Sequence, residues 1–219
     1  MSVTTLIGKA FPKFDSLVIA QKKASKLGIS VEDILADWEE KGNIGRNNGT
    51  RVHEYCENYI LNKTLLYNPN DINEKIRFDS AISMINKLIS LFNPISTETE
   101  KLVFSPHFQL AGSIDWLFKL KEDQYIIFDW KILSKDLTKL GFNNQTGHIL
   151  PTINIQDSNY WHYALQLQIY EYILKSENYI PVNSRVNRYL IVWNGNKFNL
   201  EKMPDMPEAW SLIAWKNKL

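Results

Sequence analysis

The sequence has little cysteine, little net charge and no long apolar run. Cys56 is the one cysteine among 219 residues, which excludes an intramolecular disulfide and a zinc or iron–sulfur site built from four cysteines of one chain. A formal net charge of +1 gives no overall basic field, so any polyanion site must be a local patch. The lone thiol, with no membrane-length apolar run and no signal pattern, predicts a protein of a reducing cytoplasm.

Two further absences limit the function. The sequence has no G-x-x-x-x-G-K-[ST] phosphate loop, which excludes a fused ATP-driven motor of that kind. It also has no internal repeat and no low-complexity tract. With 219 residues, of which 44% are hydrophobic, we expect one globular domain with a substantial core.

Hydrophobic periodicity predicts an α/β fold, in which helices cover both faces of a central mixed β-sheet. Helices are predicted at Asp15–Leu27, Val31–Lys41, Thr50–Lys63, Ile72–Leu91, Tyr160–Lys175 and Pro204–Lys218. Strands are predicted at Ile95–Phe104, in a hairpin over Leu110–Lys131, and at Arg185–Trp193 and Lys197–Leu200. Residues 2–14 are expected to form an irregular entry segment, residues 42–48 a break between two helices, and residues 133–160 a long loop.

The hairpin over Leu110–Lys131 carries charges in an apolar setting. Its first strand contains Asp115, and its second runs through the apolar block YIIF into Asp129, Trp130 and Lys131. Because strand side chains alternate, Asp129 and Lys131 should point to one face of the sheet and Trp130 to the other. A carboxylate and an amine at the end of a buried strand need an explanation, because an Asp-x-Lys triplet by itself is most often a solvated strand end.

These groups suit metal-dependent hydrolysis of a phosphodiester. Bound Mg²⁺ or Mn²⁺ provides both a strong nucleophile and neutralisation of phosphate charge, and such ions prefer oxygen ligands. Asp115 and Asp129 come from adjacent strands and can converge, with the carbonyl of Trp130 as a third oxygen ligand. Lys131 would orient the attacking water and stabilise negative charge, and its pKa is expected to fall beside a cation.

Several motifs together resemble the PD-(D/E)XK nucleases, and among them the RecB-like exonuclease group. They span about half of the chain, from position 49 to position 170, and appear in the order expected for the group. The motifs are Gly49-Thr50-Arg51-Val52-His53, a glutamate on the next strand, Gly112-Ser113-Ile114-Asp115, Asp129-Trp130-Lys131 and Gln166-Leu167-Gln168-Ile169-Tyr170. The opening SVTTLIGKAFPKFD also resembles the start of phage-encoded members.

The resemblance implies a role for each matching residue. In that group a histidine and two aspartates hold the metal, here His53, Asp115 and Asp129, and the lysine, here Lys131, is catalytic. The Q-x-x-x-Y helix packs beside the site and contacts the site or the DNA. That role falls on Gln166 and Tyr170.

The glutamate of the site is left open between Glu98 and Glu100. Glu100 is preferred, because strand alternation from it passes through Leu102 and Phe104, and it would hold a second metal ion or a metal-bound water. The basic residues Lys135 and Lys139 are either phosphate contacts or exposed loop lysines.

The resemblance implies a Mg²⁺- or Mn²⁺-dependent exonuclease that acts on DNA and leaves 5′-phosphates, in the cytoplasm of a bacterium or a phage-infected host. A single-strand annealing or other recombination protein is a candidate partner. The alternatives are a structure-specific endonuclease and a non-catalytic DNA-binding module on the same fold. The expected organisation is one nuclease domain over residues 1–219, with a helical elaboration at 1–48, the core at 49–200 and a C-terminal helix at 201–219.

Overall fold

A five-stranded mixed β-sheet lies at the centre of the protein, in a computed structural model that describes residues 1–65, 71–133 and 137–218. The strands are β1 (Ser96–Ser105), β2 (Leu110–Lys119), β3 (Gln124–Ile132), β4 (Arg185–Trp193) and β5 (Phe198–Lys202). They lie side by side in chain order. β3 and β4 pair in parallel and the other neighbours are antiparallel. The predicted mixed sheet is therefore confirmed.

Six α-helices accompany the sheet in the described part of the chain. They are α1 (Val3–Gly8), α2 (Ser16–Leu27), α3 (Val31–Ile60), α4 (Ile72–Phe92), α5 (Asn159–Ser176) and α6 (Glu208–Lys216). Helix α5 lies in the crossover that the parallel β3–β4 pair requires. None of these helices combines the length and apolarity needed to cross a bilayer.

Two hydrophobic cores form, one on each face of the sheet. On one face, α3 and α4 pack on aromatic strand residues such as Trp116, Phe118 and Phe128, and we call this the α3-side core. On the other face, α1, α5 and α6 pack on aliphatic strand residues such as Ile114 and Ile127, and we call this the α5-side core. The expectation of helices on both faces is confirmed.

Helix α3 corrects the predicted break at residues 42–48. It runs without interruption for 30 residues, so the two predicted helices are one. Its start follows the expected pattern, with the Ser30 side chain capping the N–H of Asp33. Glycine and asparagine weaken a helix without forbidding it. The segment is continued from both sides, because the start of α3 packs on α2 around Ile34 and its end packs in the α3-side core through Val52, Tyr55 and Cys56. The expected boundary at residue 48 thus falls inside a helix.

The N-terminal entry segment also differs from expectation. Val3–Gly8 forms helix α1, capped by the Ser2 side chain, which accepts a hydrogen bond from the N–H of Thr5 at 3.0 Å. Val3 and Leu6 are fully buried against the α5-side core. Six residues are too few for a helical period to stand out in a sequence, so tertiary burial decides this helix.

Candidate metal centre

The site begins at a distortion in β1. Thr99 pairs with Trp116 and Lys101 with Ile114, whereas Glu100 between them adopts a left-handed backbone conformation with φ of 45°. A non-glycine residue in that region is uncommon and strained within a strand. The distortion changes the direction of the Glu100 side chain from the one that regular strand alternation would give it.

Strand β2 changes face at the same level. Ile114 belongs to the α5-side core, but Trp116, two positions later, belongs to the α3-side core. In a regular strand, residues two apart share a face, so the alternation inverts at Asp115 between them. Asp115 therefore occupies the point at which the strand passes from one core to the other.

The Asp115 carboxylate accepts a backbone hydrogen bond between β2 and β3 at the point where their pairing ends. The last residue pair recorded between these strands in this direction is Trp116 with Phe128. Beyond it, the backbone N–H of Trp130 donates to Asp115 Oδ2 at 2.7 Å. The carboxylate is thereby fixed between the two strands.

His53 reaches this point from helix α3. Its Nδ1 lies 3.4 Å from Glu100 Oε1 and 3.5 Å from Asp115 Oδ2, and its Nε2 lies 3.2 Å from the carbonyl oxygen of Trp130. A carbonyl oxygen only accepts hydrogen bonds, so this contact requires a proton on Nε2. Nδ1 faces the two carboxylates, and in the protonated imidazole it donates to Glu100. A metal ion bound at Nδ1 would take the place of that proton.

His53, Glu100 and Asp115 form a group that could hold a metal ion, with one ligand atom from each within 4.8 Å of the others. Glu100 is fixed from its other oxygen, because the hydroxyl of Ser113 donates to Glu100 Oε2 at 3.0 Å. Glu98, the alternative from the sequence, instead pairs with Lys101 at 2.5 Å on the protein surface. The geometry thus brings Glu100, and not Glu98, into the group.

Asp129 and Lys131 lie beside this group as an ion pair. The Asp129 carboxylate is buried and contacts the Lys131 ammonium, which also lies 5.0 Å from the ring centre of Tyr163. Trp130 is buried in the α3-side core, so the alternation expected for Asp129, Trp130 and Lys131 is present. The Asp129 carboxylate pairs with Lys131 beside the convergent group of His53, Glu100 and Asp115, and a metal contact of Asp129 or of the Trp130 carbonyl stays a prediction.

Gln166 and Tyr170 support Asp129 from helix α5. The amide of Gln166 lies 3.4 Å from Asp129 Oδ1 and 3.2 Å from the Tyr170 hydroxyl, and both residues are buried. The structure therefore shows them fixing the carboxylate. A contact of either side chain with DNA stays a prediction.

The motif glycine Gly112 leaves room for Tyr170. A Cβ atom at Gly112 would lie 2.4 Å from Tyr170 Cε1 and 2.8 Å from its hydroxyl oxygen. The Tyr170 ring is buried in the α5-side core and cannot move aside cheaply. The absence of a side chain at position 112 is what lets α5 approach β2 behind the site.

Replacing Gly112 by alanine should lower the free energy of unfolding by about 1–3 kcal/mol, because the new methyl group overlaps the Tyr170 ring. Urea denaturation measures the change. Gly8→Ala is the matched control, since a Cβ there meets no atom within 4 Å. In a Tyr170→Leu background the cost of Gly112→Ala should shrink. An equal cost in both backgrounds would contradict the steric explanation.

Burial and the neighbouring carboxylates set the ionisation of the site. Burial, with the charge of Asp129 added to it, raises the pKa of Asp115 to about 7. The hydrogen bond from His53 lowers the pKa of Glu100, against the opposing effect of burial. Burial alone would lower the pKa of His53, but Glu100 and Asp115 outweigh it and raise that pKa. Asp115 and His53 therefore hold a proton more strongly than they would in water, and a bound cation would compete with those protons.

Without a metal ion the pKa of Lys131 is raised, and the fall expected beside a bound cation stays a prediction. Burial by itself would lower it, but the carboxylates of Asp129 and Asp115 outweigh burial. In the protein alone Lys131 is therefore a cation, and a share in proton transfer beside a bound metal stays a prediction.

Sequence reasoning missed Ser113 and Tyr163. Ser113 lies inside the motif that supplies Asp115, and its hydrogen bond to Glu100 could not be read without the β1–β2 register. Tyr163 lies three residues before Gln166, so helical spacing places both on one face of α5. That spacing was the available signal. Of the two loop lysines, Lys135 lies outside the described residues.

Lys139 does lie within the described part of the chain. Its ammonium is 4.7 Å from the ring centre of Tyr160, close to the start of helix α5. This cation–π contact accounts for its position. A phosphate contact of Lys139 stays a prediction.

The chain was compared with known proteins. No family model and no curated protein matches the sequence. Among solved structures, a protein from Eubacterium rectale named "putative exonuclease" is 14% identical with a TM-score of 0.45, covering 80% of this chain. A protein named SSO0001 is 13% identical with a TM-score of 0.39, covering all of this chain and 73% of its own. This chain spans 65% of the length of the Eubacterium rectale protein.

Proposed function

We propose that the protein is a metal-dependent deoxyribonuclease of the PD-(D/E)XK type, acting as an exonuclease that leaves 5′-phosphates. The observation that carries the proposal is the convergence of His53, Glu100 and Asp115 beside the Asp129–Lys131 pair. The resemblance of the motifs supplies the exonuclease assignment. The geometry supports hydrolysis at a site that combines metal ligands with a fixed cation.

The donor set fits a hard divalent cation. Two carboxylates and one imidazole nitrogen, from Glu100, Asp115 and His53, would hold Mg²⁺ or Mn²⁺ and leave other positions open. When bound, such an ion neutralises phosphate charge and makes water a stronger nucleophile. The contact from Trp130 to His53 fixes the imidazole, as outer-shell hydrogen bonds commonly do at metal sites.

Lys131 would stabilise the negative charge that develops on the phosphate. Its ammonium is held by Asp129 and by the face of Tyr163, so its position is set before substrate binds. A cation fixed in advance spends no free energy on reorganisation when charge builds up. Gln166 and Tyr170 hold Asp129, and through it Lys131, in place.

Release of nucleotides from linear DNA tests the proposal directly. We expect release with Mg²⁺ or Mn²⁺ and none after chelation. Ca²⁺ should bind but support little turnover, because its looser coordination positions water poorly. A covalently closed circle should stay intact, since an exonuclease needs an end.

Two results would count against this function. Absence of nucleotide release from any linear DNA with Mg²⁺ and Mn²⁺ would leave a non-catalytic DNA-binding role. Cutting of the closed circle at a rate comparable with linear DNA would replace the exonuclease by an endonuclease.

A further inference from the structure

A cavity of about 720 Å³ opens between the middle of helix α3 and the ends of β3 and β4. The residues that argue for a ligand are Trp38, Lys41, Gly45, Arg77, Leu133 and Trp193, all of which line it. We call this cavity the α3 groove. The side chains of the candidate metal centre are not among the described residues that line it.

The α3 groove joins the candidate metal centre. Its wall includes Ile132 and Leu133, which follow directly on Lys131 at the end of β3. Helix α3 forms the opposite wall and also carries His53, which lies eight residues beyond Gly45, or about 12 Å along the helix axis. A chain molecule lying in the groove would therefore lead to the metal ligands within about two nucleotide lengths.

The lining suits a single nucleic-acid strand. Lys41 and Arg77 contribute positive charge, and no aspartate or glutamate is among the described residues that line the groove. Lys41 does pair with Asp37 at 2.7 Å, but on the exposed surface of the helix, where such a pair is weak. Trp38 is partly exposed and provides aromatic surface, whereas Trp193 is buried in the α3-side core and contributes an apolar wall. Cations that track phosphates and aromatic rings that stack with bases are the two components of single-strand binding.

Arg77 is placed to act from the floor of the groove. Its NH2 group donates to Asn48 Oδ1 at 3.2 Å, which fixes the guanidinium against helix α3. The guanidinium also interacts with the buried hydroxyl of Tyr55, where burial raises the pKa of that group and Arg77 acts to lower it. Arg77 is partly exposed, and a guanidinium held in place in this way is well suited to pair with a phosphate.

We propose that the α3 groove binds a single DNA strand and delivers it to the metal centre. The inference rests on the proposed nuclease function and adds the strandedness and path of the substrate. A duplex presents phosphates and hides its bases, so the aromatic lining favours an unpaired strand. Gly45 leaves room in the groove, because a Cβ at that position would meet no atom within 4 Å.

Charge substitutions at Gly45 test the groove without disturbing the fold. Gly45→Glu places a carboxylate one helical turn from Lys41 and should weaken binding of a short labelled single strand about tenfold. Gly45→Lys should bind within about twofold of wild type or more tightly. Both substitutions replace glycine by a better helix former, so both proteins should melt at or above the wild-type temperature. Binding is measured by fluorescence anisotropy in Ca²⁺.

Asn47→Glu is the matched control. It introduces the same charge on the same helix, but about 200° around its axis from Gly45 and outside the groove. Single-strand binding should change less than about twofold. An equal loss in both glutamate variants would show a general charge effect and overturn the groove assignment. A duplex that binds wild type as tightly as the single strand would overturn the strandedness.

The same assays separate this inference from the proposed function. If wild type degrades DNA but Gly45→Glu binds and degrades single strands normally, the groove is wrong and the nuclease stands. If wild type never cleaves, the nuclease is wrong, whereas a selective loss of single-strand binding in Gly45→Glu still supports the groove.

Discussion

Lys131→Ala should lower the rate of DNA cleavage by about 10²–10³-fold while Mn²⁺ still binds. The ammonium lies beside the metal-ligand group, where Asp129 fixes it, and alanine leaves no positive charge at that position. Single-turnover cleavage with Mg²⁺ measures the loss, and calorimetric titration with Mn²⁺ checks that the metal site persists. Cleavage by Lys131→Ala at a rate near wild type would show that the site assignment is wrong.

A second variant at position 131 tests whether the loss of cleavage in Lys131→Ala results from misfolding. Removal of Lys131 leaves the buried Asp129 carboxylate without its ion pair, which lowers stability. Lys131→Arg keeps a positive charge for Asp129 but replaces the compact ammonium by a planar guanidinium. It should fold like wild type by circular dichroism and still cleave at least about tenfold more slowly. Wild-type cleavage by this variant would mean that charge alone suffices.

Asp115→Asn should reduce Mn²⁺ affinity about 100-fold or more and abolish cleavage with it. Outer-shell changes alone commonly cost about 10–100-fold in metal affinity, and Asp115 is a direct ligand in our assignment. Asparagine still accepts a hydrogen bond, so the contact with the N–H of Trp130 survives. The amide also removes a buried negative charge next to Asp129, so the melting temperature without metal should not fall.

The two glutamates of β1 give the matched comparison for the metal site. Glu100→Gln should weaken Mn²⁺ binding, because Glu100 lies in the ligand group. Glu98→Gln makes the same chemical change two residues away, where the carboxylate pairs with Lys101 on the surface, and should bind Mn²⁺ like wild type. Equal losses in the two variants, or a loss only in Glu98→Gln, would contradict the ligand assignment.

Much of the sheet could be predicted from the sequence because its signals are local. The apolar block before Asp129 marks β3 as a strand buried on both faces, and alternation correctly separates Trp130 from Asp129 and Lys131. The motif spacing likewise brings His53, from a helix, to the same place as the hairpin. These inferences need only the periods of the helix and strand.

The rest of the fold and of the site depends on backbone geometry that the helix and strand periods do not encode. Alternation from Glu100 through Leu102 and Phe104 does not hold, because the left-handed backbone at Glu100 changes its direction and both apolar residues are exposed. The place of Glu100 beside His53 and Asp115 depends on the β1–β2 register and on that backbone turn, whereas a metal contact of Asp129, which pairs with Lys131, stays a prediction. The continuity of α3 through its glycines follows from the packing of its two ends, on α2 and in the α3-side core, which is a tertiary effect.

Because helix α3 is uninterrupted, a movement of its middle is transmitted to its C-terminal half. One rigid element carries both a wall of the α3 groove and the imidazole of His53, with about 12 Å between Gly45 and that residue. A tilt of about 5° at the groove would displace His53 by about 1 Å, and misplacements of that size cost about 100-fold in rate at catalytic sites. Binding of a strand in the α3 groove and the position of the His53 imidazole are therefore coupled through helix α3.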